Sequence, residues 1–193
     1  MADELMIRRI ATIDAEHAET MKGNPTSFRE ESFPFYQGAK VVFATIRLRH
    51  KPVELAYLDF GQELWPLSTE DALYRANARA TLALDASTAA DYGRFFVSLL
   101  RPQLQIAERA DQVRWLPSVD KNEDQKKAKA EATQKLRPLS AAADPAGGVR
   151  VTFTATTGDK RLVEESWRFS FDGRLVDPKE TVLQEGLPIP YVM

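Results

Sequence analysis

Apolar and polar residues alternate most regularly in the last third of the chain, where Val149 to Thr157, Arg161 to Phe171 and Arg174 to Leu183 read as three successive strands. Val149, Val151, Phe153 and Ala155 share one face of the first strand, and Val163, Glu165, Trp167, Phe169 and Phe171 share one face of the second. Between these two faces' strands lies Gly158-Asp159-Lys160, and Asp172-Gly173 follows as a two-residue hairpin turn of type I′, whose positive φ angles glycine and aspartate tolerate. A meander with one apolar face needs a cover. The strongest candidate is Ala89 to Leu100, where Ala89, Tyr92, Phe95, Phe96, Leu99 and Leu100 recur with helical period, capped by Asp85 or Ser87 and stopped before Pro102.

The first half predicts two further pieces. Met6, Ile10, Ile13, His17 and Met21 form one stripe of a single helix from Glu4 to Lys22, ended by Gly23-Asn24-Pro25. The aromatic run Phe28, Phe33, Phe35 and Tyr36 has no period and reads as an irregular segment over the core. Val42, Ala44, Ile46 and Leu48 then alternate with Phe43, Thr45, Arg47 and Arg49, turn at His50-Lys51-Pro52, and return through Val53 to Phe60 as a hairpin. Ser68 is placed to cap a helix running from Thr69 to about Ala80. Leu104 to Ala107 and Val113 to Leu116 read as short strands around a turn at Arg109 to Asp111. The lysine-rich stretch from Asp120 to Arg137 reads as a solvated helix or a mobile insertion, and Leu139 to Gly148 as a linker.

These elements give a fold class: α+β, with an antiparallel sheet built from the early hairpin and the three-stranded meander, and amphipathic helices packed on one face. At 193 residues the expectation is a single domain, 1–193, with its charged segment at 120–148. The 26 basic and 28 acidic side chains nearly cancel, so no global field draws the chain to nucleic acid or to an anionic membrane. No apolar stretch approaches the roughly 20 residues that span a bilayer, and the acidic start lacks a signal sequence. A cytoplasmic location is expected, and an exported chain trimmed to its mature start would read the same. Cysteine is absent, which removes disulfides and thiolate chemistry.

Leu64-Trp65-Pro66-Leu67, Ala72 to Asn77, Leu82 to Asp85 and Asp91-Tyr92-Gly93-Arg94-Phe95-Phe96 together resemble a pattern in a family of uncharacterised bacterial proteins. In that family a Trp-Pro-Leu segment leads through a short helix to a Tyr-x-Arg-Phe-Phe helix. The resemblance spans roughly 40 of the 193 residues and its motifs are hydrophobic. It implies kinship of fold and carries no activity or residue role with it.

Chemistry-bearing signatures are sparse. His17 and His50 stand alone, no Gly-rich loop leads from a strand into a helix, and no Gly-x-Ser-x-Gly elbow occurs. No metal and no cofactor are expected. Glu165 is the sharpest anomaly, since it shares a face with Val163, Trp167, Phe169 and Phe171, where a carboxylate is costly unless paired; the plainer expectation is that it sits near the strand end, reaching water or pairing with an arginine. Arg94 lies at the edge of the apolar helix stripe, where an arginine holds a carboxylate or packs on a ring. The preferred reading is a non-catalytic binding or interaction protein, in which Phe35, Tyr36, Tyr92, Arg94 and Trp167 hold a small apolar ligand or a protein partner, a second copy of the chain included. The alternative is a small enzyme that uses Glu165 and Arg94, and it requires both head groups in one cleft.

Overall fold

The computed structural model describes residues 2–191. The chain divides into two compact units, Met1–Ala83 and Leu84–Met193, and each has its own sheet.

In the N-terminal unit, α1 (Ala2–Ala11) and α2 (Ala15–Lys22) replace the single expected helix. The break falls at Asp14, whose carboxylate accepts the His17 backbone N–H and starts a second helix, leaving Ile13 exposed. β1 (Thr26–Glu31) follows, then β2 (Tyr36–Gln37), β3 (Lys40–Arg47), β4 (Pro52–Asp59) and β5 (Leu64–Pro66). The expected hairpin is β3 and β4, in the register Ala44↔Leu55 and Val42↔Tyr57. The supposedly irregular segment in fact supplies β1, an edge strand beside β3. Ile10, Ala18 and Met21 pack with Ala44, Ile46 and Tyr57 in one apolar cluster. α3 (Glu70–Arg79) is capped by Thr69, one residue after the expected Ser68, because the Thr69 hydroxyl accepts the Ala72 N–H at 3.2 Å. β6 (Thr81–Leu82) pairs with β2.

The C-terminal unit contains α4 (Ala89–Leu100), β7 (Leu104–Ile106), α5 (Glu123–Lys135), β8 (Ser140–Ala143), β9 (Val149–Thr157), β10 (Leu162–Phe169) and β11 (Leu175–Gln184). The strand order is β11-β10-β9-β7, and β8 also pairs with β9. All pairings are antiparallel. The α+β class and the meander therefore stand, whereas the sheet expected to join hairpin and meander is two sheets. The reason is local: β3 is flanked by β1 and β4, and β9 by β10 on one side and by β7 and β8 on the other. β1 and β8, short strands without an alternating apolar pattern, together with β7, take pairing positions beside β3 and β9 that a joint sheet would have needed. The lysine-rich stretch is helical, with Ala132 and Leu136 buried beside Leu162 and Leu187, and the expected linker contains β8. Val113 to Leu116 forms no strand.

The Tyr92 helix covers the meander as expected. Phe96 meets Trp167 and Phe169 edge-on at centroid separations of 5.8 and 5.2 Å, and Phe153 meets Trp167 at 5.0 Å. The Tyr92 hydroxyl donates to the Gly173 carbonyl at 2.7 Å and ties α4 to the β10–β11 turn. That turn is not type I′. Of these residues only Gly173 has positive φ, and its N–H returns to the Ser170 carbonyl, so Ser170 to Gly173 closes as a turn with a left-handed last residue, followed by a bulge on β11 at Val176, between the pairs Phe169↔Leu175 and Arg168↔Asp177. Phe171, expected on the buried face, lies at the tip of this turn and is 64 % exposed. On the opposite sheet face the Arg150 guanidinium reaches Asp144 at 2.7 Å, Ser166 at 3.3 Å and Asp177 at 3.2 Å.

Candidate functional site

The C-terminal unit carries a cleft of about 620 Å³ where the end of α4, the β9–β10 turn and the middle of β10 and β11 meet. Its apolar walls are Leu104, Trp167, Leu175, Pro178 and Tyr191, and its polar groups are Arg101, Asp159, Arg161, Glu165 and Glu180. A neighbouring hollow of about 450 Å³ shares Gln103, Leu104, Thr157 and Gly158 with it and continues toward Ile189 and Pro190.

Strand register builds the polar end. Glu165 on β10 lies directly opposite Glu180 on β11 and Phe153 on β9. Directly opposed residues on one sheet face are nearest neighbours, so the two carboxyls face each other. Like charges in this relation are unfavourable, and the site answers with a chain of pairings. Arg161 donates to Glu180 at 2.9 Å and to Asp159 at 2.7 Å, and Asp159 also accepts from the Thr157 hydroxyl. Glu165, only 5 % exposed, accepts the Trp167 indole N–H at 2.7 Å. Its partner is therefore a neutral donor rather than a cation.

Burial is the leading cause that raises the Glu165 carboxyl above its ordinary value of 4.5, and the facing Glu180 carboxyl adds to it through charge and hydrogen bonding. The Trp167 hydrogen bond and the Arg161 charge oppose the rise without cancelling it. Hydrogen bonds from Thr157 and Arg161 hold Asp159 below the usual carboxylate range. The cleft thus sets a carboxyl of raised proton affinity beside an arginine-bridged carboxylate network.

The sequence-derived candidates distribute as follows. Phe35 and Tyr36 belong to the N-terminal unit and are buried there, with the Tyr36 hydroxyl donating to Asn77 at 2.6 Å. Tyr92 is buried beneath the β10–β11 turn. Trp167 lines the cleft with its Glu165 end. Arg94 does not enter the cleft. Its guanidinium reaches Glu108 at 2.7 Å and Asp91 at 3.5 Å. Burial works to raise Glu108, but the Leu139 N–H and Arg94 together hold it below its ordinary value, so this arginine anchors the approach to β8. The pairing of Glu165 with Arg94 is thereby overturned. The arginine that reaches the cleft from α4 is Arg101, seven residues and about 10 Å further along the helix, with its guanidinium over the Phe96 ring.

Glu180, Arg161 and Asp159 were missed by the sequence reading. The signal for Glu180 was present, since counting outward from Asp172-Gly173 as a two-residue turn already places Glu180 opposite Glu165, and the observed bulge preserves that register. Arg161 and Asp159 belong to a tight turn whose apolar pattern says nothing about where its side chains reach. Elsewhere, His17 contacts Asp14 at 2.8 Å and His50 is exposed; no group of three or more histidine, cysteine, aspartate or glutamate side chains suited to a metal ion occurs among the described residues. No helix of the described residues is long and apolar enough to cross a membrane. Comparison with known proteins supplies no relative from which a role can be carried over: no family model, no curated protein and no solved structure matches the chain.

Proposed function

We propose that the protein is a non-catalytic binding module, and that its C-terminal unit takes a small organic molecule with an apolar body and a polar head in the Glu165 cleft. The observation that carries this reading is the two-part lining of the cleft: Leu104, Trp167, Leu175, Pro178 and Tyr191 give it apolar surface, and the charged groups Arg101, Asp159, Arg161, Glu180 and the buried Glu165 give it polar surface. Small-molecule sites combine apolar surface for affinity with fixed polar groups for orientation, and both are present in this cleft. The volume suits a ligand of drug-like size or smaller. The polar groups are already fixed by one another, so little ordering cost remains when a ligand arrives.

Ligand-observed NMR with a fragment library tests the reading. Hits are expected to compete for one site and to disappear in Leu175→Arg, which puts a long cation into the cleft, provided the variant keeps the wild-type circular dichroism. Hits that persist unchanged in a folded Leu175→Arg would overturn it.

A second reading comes from the facing of Glu165 and Glu180, the former with its proton affinity raised by burial. Two carboxyls so placed have the arrangement of paired catalytic carboxylates. Mass spectrometry of each hit after long incubation separates the two. Recovery of unaltered compound supports binding alone, whereas conversion that Glu165→Gln abolishes establishes the catalytic reading.

A further inference from the structure

We propose that the head group recognised by the cleft is an organic ammonium, seated between the Glu165 and Glu180 carboxyls. The inference rests on the binding reading above and narrows it to a chemical class.

Charge counting leads there. The ionisable groups that line the cleft with Glu165 are Glu180 from β11, Asp159 and Arg161 from the β9–β10 turn, Arg101 from the end of α4, and Tyr191 after the meander, and of these Glu180 lies directly opposite it. Trp167 on its own strand and Phe153 on β9 are neutral. Arg161 is shared between Asp159 and Glu180, and Arg101 donates to the Leu100 carbonyl at 3.0 Å while lying over Phe96. Glu165 is the carboxyl of this group whose hydrogen bond goes to an indole. A buried carboxylate is stable when it is paired with a cation and hydrogen-bonded, and otherwise it keeps its proton. An ammonium nitrogen carries three donors, enough to reach both facing carboxyls at once. The apolar walls at Leu104, Leu175 and Pro178 then accommodate the carbon skeleton to which the nitrogen is attached. An anionic head group would instead face Glu165 and Glu180 at close range, and a neutral one would supply no counter-charge to either.

This arrangement has a measurable signature. The ammonium favours the ionised form of Glu165, whose proton affinity the fold raises, so binding is coupled to proton release. Because the folded protein holds that proton more tightly than an ordinary glutamate, release is largest in acidic solution and apparent affinity rises with pH.

The test uses the whole chain and three probes of one shape: benzylamine, benzyl alcohol and sodium benzoate. Isothermal titration calorimetry is run at about pH 5 and about pH 7, in two buffers of different ionisation enthalpy, which reads the proton count directly. Benzylamine is expected to bind at least tenfold more tightly than either analogue, with proton release at the lower pH and tighter binding at the higher. Glu165→Gln is expected to remove both the proton release and the preference. Since the buffer comparison needs only the wild-type protein, a poorly folding variant does not spoil the test. If benzyl alcohol binds in the cleft as well as benzylamine does, or if benzylamine binds with no proton exchanged, the ammonium assignment is overturned while the binding reading survives. If none of the three binds, the assignment is likewise lost, and the fragment screen decides separately on the cleft.

Discussion

Gly93 lies on the face of α4 that meets β9, and replacing it with alanine sets two known effects against each other. In a helix interior, Gly→Ala ordinarily stabilises by about 1 kcal/mol, because glycine loses more backbone freedom on folding. Here the added Cβ would come within 2.9 Å of Val151 Cγ1 and 3.6 Å of its Cβ and Cγ2. Carbon atoms pack at about 3.5–4.0 Å, so the first contact is an overlap. Val151 is fully buried and β-branched, and its stiff χ1 gives the methyl little room to swing away. Overpacking of this kind costs about 1–3 kcal/mol. The expected outcome is therefore a net loss of about 1 kcal/mol, or a thermal midpoint lower by about 4 °C for a unit of this size. Urea unfolding followed by circular dichroism measures it, and a double-mutant cycle isolates the contact: in a Val151→Ala background Gly93→Ala should change sign and become stabilising. A gain of about 1 kcal/mol for Gly93→Ala in the wild-type background would refute the close seating of α4 on β9.

Two further outcomes follow from the charged groups. Glu165 is raised above 4.5 when folded, so the folded state binds the proton more tightly than the unfolded one, and this contribution to stability is lost as pH rises from about 4.5 through the raised value. Glu165→Gln cannot ionise and is expected to lack that decline and to exceed the wild type in urea midpoint at pH 7; parallel profiles for the two proteins would show that the carboxyl is not held as described. Asp59 has the opposite sign: the Arg9 hydrogen bonds at 2.6 and 2.8 Å outweigh burial and hold it below 3.8, so its stabilisation is present above that value and fades as pH falls through the lowered one. Asp59→Asn is expected to cost about 1 kcal/mol at pH 7 and to flatten the acid limb of thermal unfolding, and an unchanged acid limb would count against the pair.

How much of this was legible in the sequence depends on where the information resides. The β9–β10–β11 meander and α4 could be read because each buries one face against the other, and burial writes period 2 or period 3.6 into the chain. β1, whose six residues include Phe28 as their one large apolar side chain, and β8, Ser-Ala-Ala-Ala, carry no such mark, since an edge strand is defined by the backbone bonds it makes to a neighbour. Missing them left open edges that invited the hairpin and meander into one sheet. The division of the first helix escaped for a different reason: Ile13 continues the apolar stripe, and only the capping role of Asp14 shows that the stripe is interrupted. At the cleft, alternation put Glu165 on the apolar face, but the plainer expectation of a strand-end carboxylate in water or beside an arginine gave way to a buried one held by an indole. Its neighbours could not be read from alternation, because register with β11 and the reach of a turn arginine are properties of pairing and side-chain length rather than of periodicity.

The Arg150 guanidinium contacts the turn beyond β8, the middle of β10 and the start of β11 from its place on β9, on the face away from the cleft. A slip of either outer strand by one residue would turn Ser166 or Asp177 to the other side of the sheet and strip this arginine of that partner. The same slip would carry Glu165 or Glu180 out of opposition. One side chain behind the sheet therefore proofreads the alignment on which the carboxyl pair in front depends, so that mis-threaded forms of the ribbon are penalised before any ligand is met.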